Sequence, residues 1–207
     1  MRARPPARPC YGDRAMPLVR RVHRYTYADY VGVEVASPTG KHEFIDGEIY
    51  AMAGGTETHS RLSAEVLRLL GNALVDGPCQ VHTSDLRLYV EAVGMATFPD
   101  GAVICGPLEH HAPSPRDTAL NPRVLLEVTS DSSEEHDTTT KLEAYRTIPS
   151  LRDYVVVSHR ERRITVHHRA DDDTWLTRVA ITGGHIAVVS LDLTLAVDDV
   201  YRKTPVG

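Results

Sequence analysis

The sequence predicts a single mixed α/β (α+β) domain, and three observations carry that reading. Alternating apolar residues flank Asp46-Gly47, two segments show helical periodicity, and strand-like runs lie between and after them. The order is a hairpin, a helix, three strands, a helix, a strand, and then further strands. With 207 residues the chain can bury one sizeable core and is short for two, so residues 23–207 are read as one domain. Residues 1–22, rich in Arg and Pro and without an apolar stretch, are read as a disordered tail, with Met16 an alternative start.

Residues 25–33, YTYADYVGV, predict a short helix with Thr26 as its cap. HEFIDGEIYAMAG follows, and Asp-Gly at its centre is a dipeptide favoured in two-residue hairpin turns. From Thr56 to Val75, Leu62, Val66, Leu69, Leu70 and Ala73 recur at helical spacing, and Gly77-Pro78 ends the segment. QVHTSDLRLYVEA, ATFPDGAVICG and PRVLLEVTS then predict three strands. A helix over 134–148 carries Leu142, Tyr145 and Ile148 on one side and stops at Pro149. DYVVVS predicts a strand, and RITVHHR, TWLTRVAIT and HIAVVSL an antiparallel extension.

Composition narrows the function. No apolar run approaches the roughly 18 residues of a membrane-spanning helix, so no membrane role is expected. Cys10, Cys79 and Cys105 are odd in number and lack C-x-x-C spacing, which fits a cytoplasmic location. The formal net charge of -5 gives no broad basic field for nucleic acid, so any such contact must be local. Gly-rich phosphate loops, nucleophile elbows and dinucleotide fingerprints are missing.

One residue breaks the pattern. Glu127 interrupts the apolar run VLLEV, and a carboxylate buried there requires a cation, a proton or a metal. Asp100, in the Pro99-Asp100-Gly101 break of an earlier strand, can approach it if the strands are neighbours. Two such oxygen donors suit a hard ion, Mg2+ or Mn2+. Lys141, one of three lysines in the chain, lies on the helix row Lys141, Tyr145, Ile148 and can reach the same carboxylates. Two acids and a lysine around a metal are what phosphodiester hydrolysis asks for.

These residues resemble a known family. The core of helix, three strands, helix and strand, with PD on one strand and E-V on the next, resembles the PD-(D/E)XK nuclease superfamily of restriction-endonuclease-like fold. HEFIDGEIYAMAG, SDLRL, FPDGAVICGP, NPRVLLEVTSDSS and DTTTKLEAY narrow the resemblance to the Uma-type family of bacterial restriction endonucleases. It implies a metal-dependent endonuclease acting on nucleic acid, DNA first, with Asp100 and Glu127 as ligands and the Val128 carbonyl as a main-chain ligand. It also implies Lys141 as the catalytic cation, because Thr129 stands where the superfamily's lysine would be. His59 matches a histidine position of the family, where it either assists the site or only meets the helix end.

The same residues have plainer readings. Asp100 could cap a turn, Glu127 could pair with Arg87, and Lys141 could pair with Asp137 on an exposed helix face. Glu43, Glu48 and Glu65 are further candidate acids for the site, with surface or structural roles the favoured reading, and Asp85 is expected to pair with Arg87. Two functions therefore stay open, a nuclease and a non-catalytic module that keeps the fold for binding or assembly. A homodimer would suit cleavage of both strands of a duplex.

Overall fold

The structure, a computed structural model, describes residues 24–37, 39–52, 54–112 and 118–206. The tail read as disordered, with Met16 and Cys10, lies outside these residues. Among them, no helix is long and apolar enough to cross a membrane.

The chain opens with α1 (Tyr27–Ala36), where the Thr26 hydroxyl accepts from the Asp29 N–H and the Asp29 carboxylate accepts from the Thr26 N–H. Strands β1 (His42–Ile45) and β2 (Glu48–Ala51) form the expected hairpin. Its turn places Asp46 at φ 50° and Gly47 at φ 79°, the left-handed pair that such a turn requires. Helix α2 (Glu57–Ala73) buries Leu62, Val66 and Leu70, as its periodicity predicts.

The next two strand-like runs each divide in a way their composition did not announce. QVHTSDLRLYVEA splits at residues 84–86 into β3 (Cys79–Thr83) and β4 (Arg87–Val90), and ATFPDGAVICG splits at residues 98–100 between β5 (Met95–Thr97) and β6 (Gly101–Cys105). The halves join different sheets. Pro99 has no N–H to give to a ladder, so the second run must leave its sheet there. β7 (Thr118–Ala119) and β8 (Val124–Val128) follow.

The helix expected over 134–148 is also divided, into α3 (Glu134–Thr138) and α4 (Thr140–Tyr145). Thr138 and Thr139 explain the break. Their hydroxyls donate to the carbonyls of Glu134 and Glu135 at 2.7 and 2.5 Å, competing with the helical ladder. After α4 come β9 (Asp153–Val157), β10 (Arg163–Arg169), β11 (Trp175–Ile181), β12 (His185–Val188), β13 (Leu193–Ala196) and α5 (Val197–Val200).

Two main sheets result, ordered β2-β1-β5-β4-β7 and β11-β10-β9-β8-β6-β3. In the larger one, β6 and β8 are antiparallel neighbours while β8 and β9 are parallel, joined through α3 and α4. One face of it packs Val103, Val124, Leu126 and Val128 with Leu62, Val66 and Leu70 of α2. The other packs Leu125, Tyr154 and Val156 with Tyr145 and Ile148 of the α4 segment and with Leu88 and Met95 of the smaller sheet. Gly101 makes the first face close, because a Cβ there would lie 2.6 Å from a methyl of Leu67. Cys79 and Cys105, opposite one another on β3 and β6, form a disulfide, a bond that reducing compartments rarely keep.

His167 on β10 is buried, its Nδ1 2.9 Å from the Thr177 hydroxyl and its ring stacked on Tyr154. Burial, with a smaller contribution from Arg146, holds its pKa below the usual histidine value. A folded pKa below the unfolded one of about 6.5 gives stability that is present above that pH and lost as pH falls through the folded value. Urea denaturation of wild type and His167→Phe across about pH 5–8 should therefore show a loss on the acid side that the variant lacks. Parallel curves would exclude His167 as its source.

Candidate active site

β8 carries Glu127 into the space between the two sheets, and everything it meets comes from other elements. Glu127 is 4 % exposed. Its Oε1 accepts from the Lys141 ammonium at 3.0 Å and the Tyr145 hydroxyl at 2.9 Å. Lys141 and Tyr145 are one turn apart on α4, so a single helix face supplies both donors.

Lys141 has two further partners. Its Nζ lies 3.1 Å from Glu43 on β1 and 3.2 Å from Asp137 on α3, and the residue is only 5 % exposed. Glu43 also accepts from the Thr97 hydroxyl. The Asp137–Lys141 pair, which sequence allowed as an exposed surface pair, is thus a buried one, and Glu43 belongs to the site rather than to the surface. Both carboxylate oxygens of Asp137 are buried and lack a well-formed hydrogen bond among the described residues.

Asp100 joins at the edge of the sheet. β6 begins one residue after it and pairs Gly101 with Leu126, which sets Asp100 beside Glu127. The two acids are tied through each other's strand: the Val128 N–H donates to Asp100 Oδ2 at 2.7 Å, and the Asp100 N–H approaches Glu127 Oε2 at 3.4 Å. His59, in the first turn of α2, sets its Nε2 3.0 Å from Asp100 Oδ2. Its side chain therefore meets Asp100, while its backbone N–H goes to the Thr56 cap.

The electrostatics follow from burial. Desolvation pushes the Glu127 carboxyl well above the usual carboxylate range, against the pull of Lys141 and with Asp137, Asp100 and Glu43 adding to the rise. Asp137 is raised for the same first reason. Burial alone would lower the Lys141 pKa, but Glu127, Glu43 and Asp137 together hold it well above the ordinary lysine value. The Asp100 hydrogen bond raises His59, with a smaller backbone contribution from Val128.

Other expectations resolve differently. Arg87 lies 3.6 Å from the buried Glu34, not beside Glu127, and Asp85 pairs with Lys41 at 2.6 Å rather than with Arg87. Glu65 pairs with Arg68 on the surface of α2. The Thr129 hydroxyl lies 2.7 Å from His159 Nδ1.

A divalent ion fits the donor chemistry. Three carboxylates, of Glu43, Glu127 and Asp137, share one ammonium, and a fourth, Asp100, lies beside Glu127 at the sheet edge. Among the described residues no group of three or more His, Cys, Asp or Glu side chains is disposed to hold a metal. The set expected from sequence has two carboxylates and the Val128 carbonyl. That is a site of the kind in which Mg2+ keeps several waters.

Comparison with known proteins decides the family. The profile of Uma2, described as "Putative restriction endonuclease", matches residues 27–198. The chain belongs to the Uma2 family. Two Synechocystis sp. (strain ATCC 27184 / PCC 6803 / Kazusa) relatives, the uncharacterized proteins slr1290 and sll1609, are 35 % identical over 162 residues and 32 % over 167. Each alignment covers 78 % of this chain, with 84 % and 90 % of the relative. A crystal structure described as "a putative nuclease belonging to DUF820", from Anabaena variabilis ATCC 29413, superposes with a TM-score of 0.64 at 16 % identity, over 78 % of this chain and 89 % of its own. The fold of this Uma2 member is accordingly restriction-endonuclease-like, and the family points to a nuclease acting on nucleic acid.

Proposed function

We propose that the protein is a Mg2+- or Mn2+-dependent endonuclease that hydrolyses phosphodiester bonds, with DNA as its first substrate. Asp100, Glu127 and the Val128 carbonyl would hold the ion, and Lys141 is the catalytic cation. The observation that carries this reading is the pairing of two backbone-tied acids, Asp100 and Glu127, with a buried lysine 3.0 Å from Glu127.

When bound, the ion would lower the pKa of a water and offset charge developing on the phosphate. The chain's own residues prepare that chemistry. Tyr145 and Lys141 engage Glu127 Oε1 and leave Oε2 facing Asp100. The Val128 N–H and His59 fix Asp100 through Oδ2. Three carboxylates keep the Lys141 ammonium charged and oriented, so it stabilises negative charge without rearranging. A two-fold dimer would present two such sites to a duplex.

One observation favours the second reading, a binding or assembly module that keeps the fold: Lys141 already supplies the cation that buried Glu127 requires. Cleavage separates the two. Plasmid and end-labelled DNA and RNA oligonucleotides are incubated with wild type and Asp100→Asn in Mg2+, Mn2+ or EDTA. Wild type should cut with either ion and not in EDTA, and the variant should not cut at all. Equal trace activity in both proteins would reject the nuclease.

A further inference from the structure

Glu43 and Tyr50 are direct cross-strand partners in the β1–β2 hairpin, so their side chains share one face of it. Glu43 meets the Lys141 ammonium, and so does Asp137, whose chain neighbour is His136. Tyr50 and His136 thus stand on the two lips of the acidic site, one on the hairpin and one on α3. Their rings meet edge to face, with centroids 6.2 Å apart at 61°. Tyr50 is 48 % exposed, and its hydroxyl has no hydrogen bond among the described residues.

We propose that Tyr50, backed by His136, stacks an unpaired nucleobase at the rim of this site, so that the preferred substrate is single-stranded or locally unpaired nucleic acid. The proposal rests on the nuclease reading above and names the substrate form that reading leaves open. Charge supports it. The net charge is -5, and Arg24, Lys41, Arg61, Arg68 and Arg160 are each paired with carboxylates. An acidic net charge gives no long-range pull toward the phosphates of a duplex. Base stacking on an aromatic ring needs no such field and tolerates any sequence, but it requires a base face that an intact duplex hides.

The test is a fluorescence titration of a single-stranded oligonucleotide containing 2-aminopurine, and of its blunt duplex, with Ca2+ as the divalent ion and the strand checked intact afterwards. The single strand should bind about ten-fold more tightly than the duplex and be quenched on binding. Tyr50→Ala should weaken single-strand binding about ten-fold and abolish the quenching, while Tyr50→Phe keeps both. Absence of binding, preference for the duplex, or Tyr50→Ala behaving as wild type would overturn the proposal. The two readings fail separately. Cleavage that Tyr50→Ala leaves unchanged removes the stacking role and keeps the nuclease, whereas Tyr50-dependent stacking without cleavage in any ion removes the nuclease and keeps the stacking role.

Discussion

Lys141→Ala is expected to abolish cleavage and also to lower folding stability by about 3–5 kcal/mol, the usual cost of leaving a buried charge without its partner. The fold is affected because Lys141 is the ammonium that Glu127, Glu43 and Asp137 share. The loss should depend on pH in a definite direction. Glu127 and Asp137 already have raised pKa values, and without Lys141 they rise further. Acids whose folded pKa lies above the unfolded one favour the folded state at low pH, and that advantage disappears as pH rises through the folded value. Urea denaturation should thus find the variant nearest to wild type around pH 5 and farthest from it around pH 8. A variant as stable as wild type at both would mean that Lys141 is not the charge holding this cluster.

Asp100→Asn should behave in the opposite way, losing the metal and keeping the fold. An asparagine Oδ1 can still accept from the Val128 N–H, so the tie between β6 and β8 survives, but the negative charge is gone. Calorimetric titration with Mn2+ should show saturable binding to wild type. The variant's affinity should fall by at least the roughly 10–100-fold that loss of even an outer partner of a metal site costs. His59 gives a second readout. Its raised pKa depends first on Asp100, so its titration, followed by NMR, should move down in the variant. Unchanged Mn2+ binding in Asp100→Asn would place the ion elsewhere or nowhere.

Local chemistry made much of the fold legible. Asp46-Gly47 dictated its hairpin, the Leu62, Val66, Leu70 row its helix, and VLLEV and DYVVV their buried strands. What could not be read was tertiary. Nothing in QVHTSDLRLYVEA says that its two halves enter different sheets, because alternation fixes faces and not partners. The trio Asp100, Glu127 and Lys141 was visible because a carboxylate in an apolar run needs a cation. Glu43 stood only as a secondary candidate, since a glutamate in an alternating hairpin looks the same whether its face meets water or a second sheet. Asp137 was seen as the partner of Lys141, four residues on, and misread only in burial, a property that depends on what packs over α3. Tyr145 was placed on the same helix row as Lys141, and its hydroxyl's hydrogen bond to Glu127 followed only from the packing of α4 on β8.

The central claim is that these acids hold a divalent ion beside Lys141. Anomalous diffraction from crystals soaked in Mn2+ tests it most directly. The account predicts one peak bound by Asp100, Glu127 and the Val128 carbonyl at about 2.0–2.3 Å, with the Lys141 ammonium in the same pocket. A map without a peak there, with Lys141 still bonded to all three carboxylates, would contradict it.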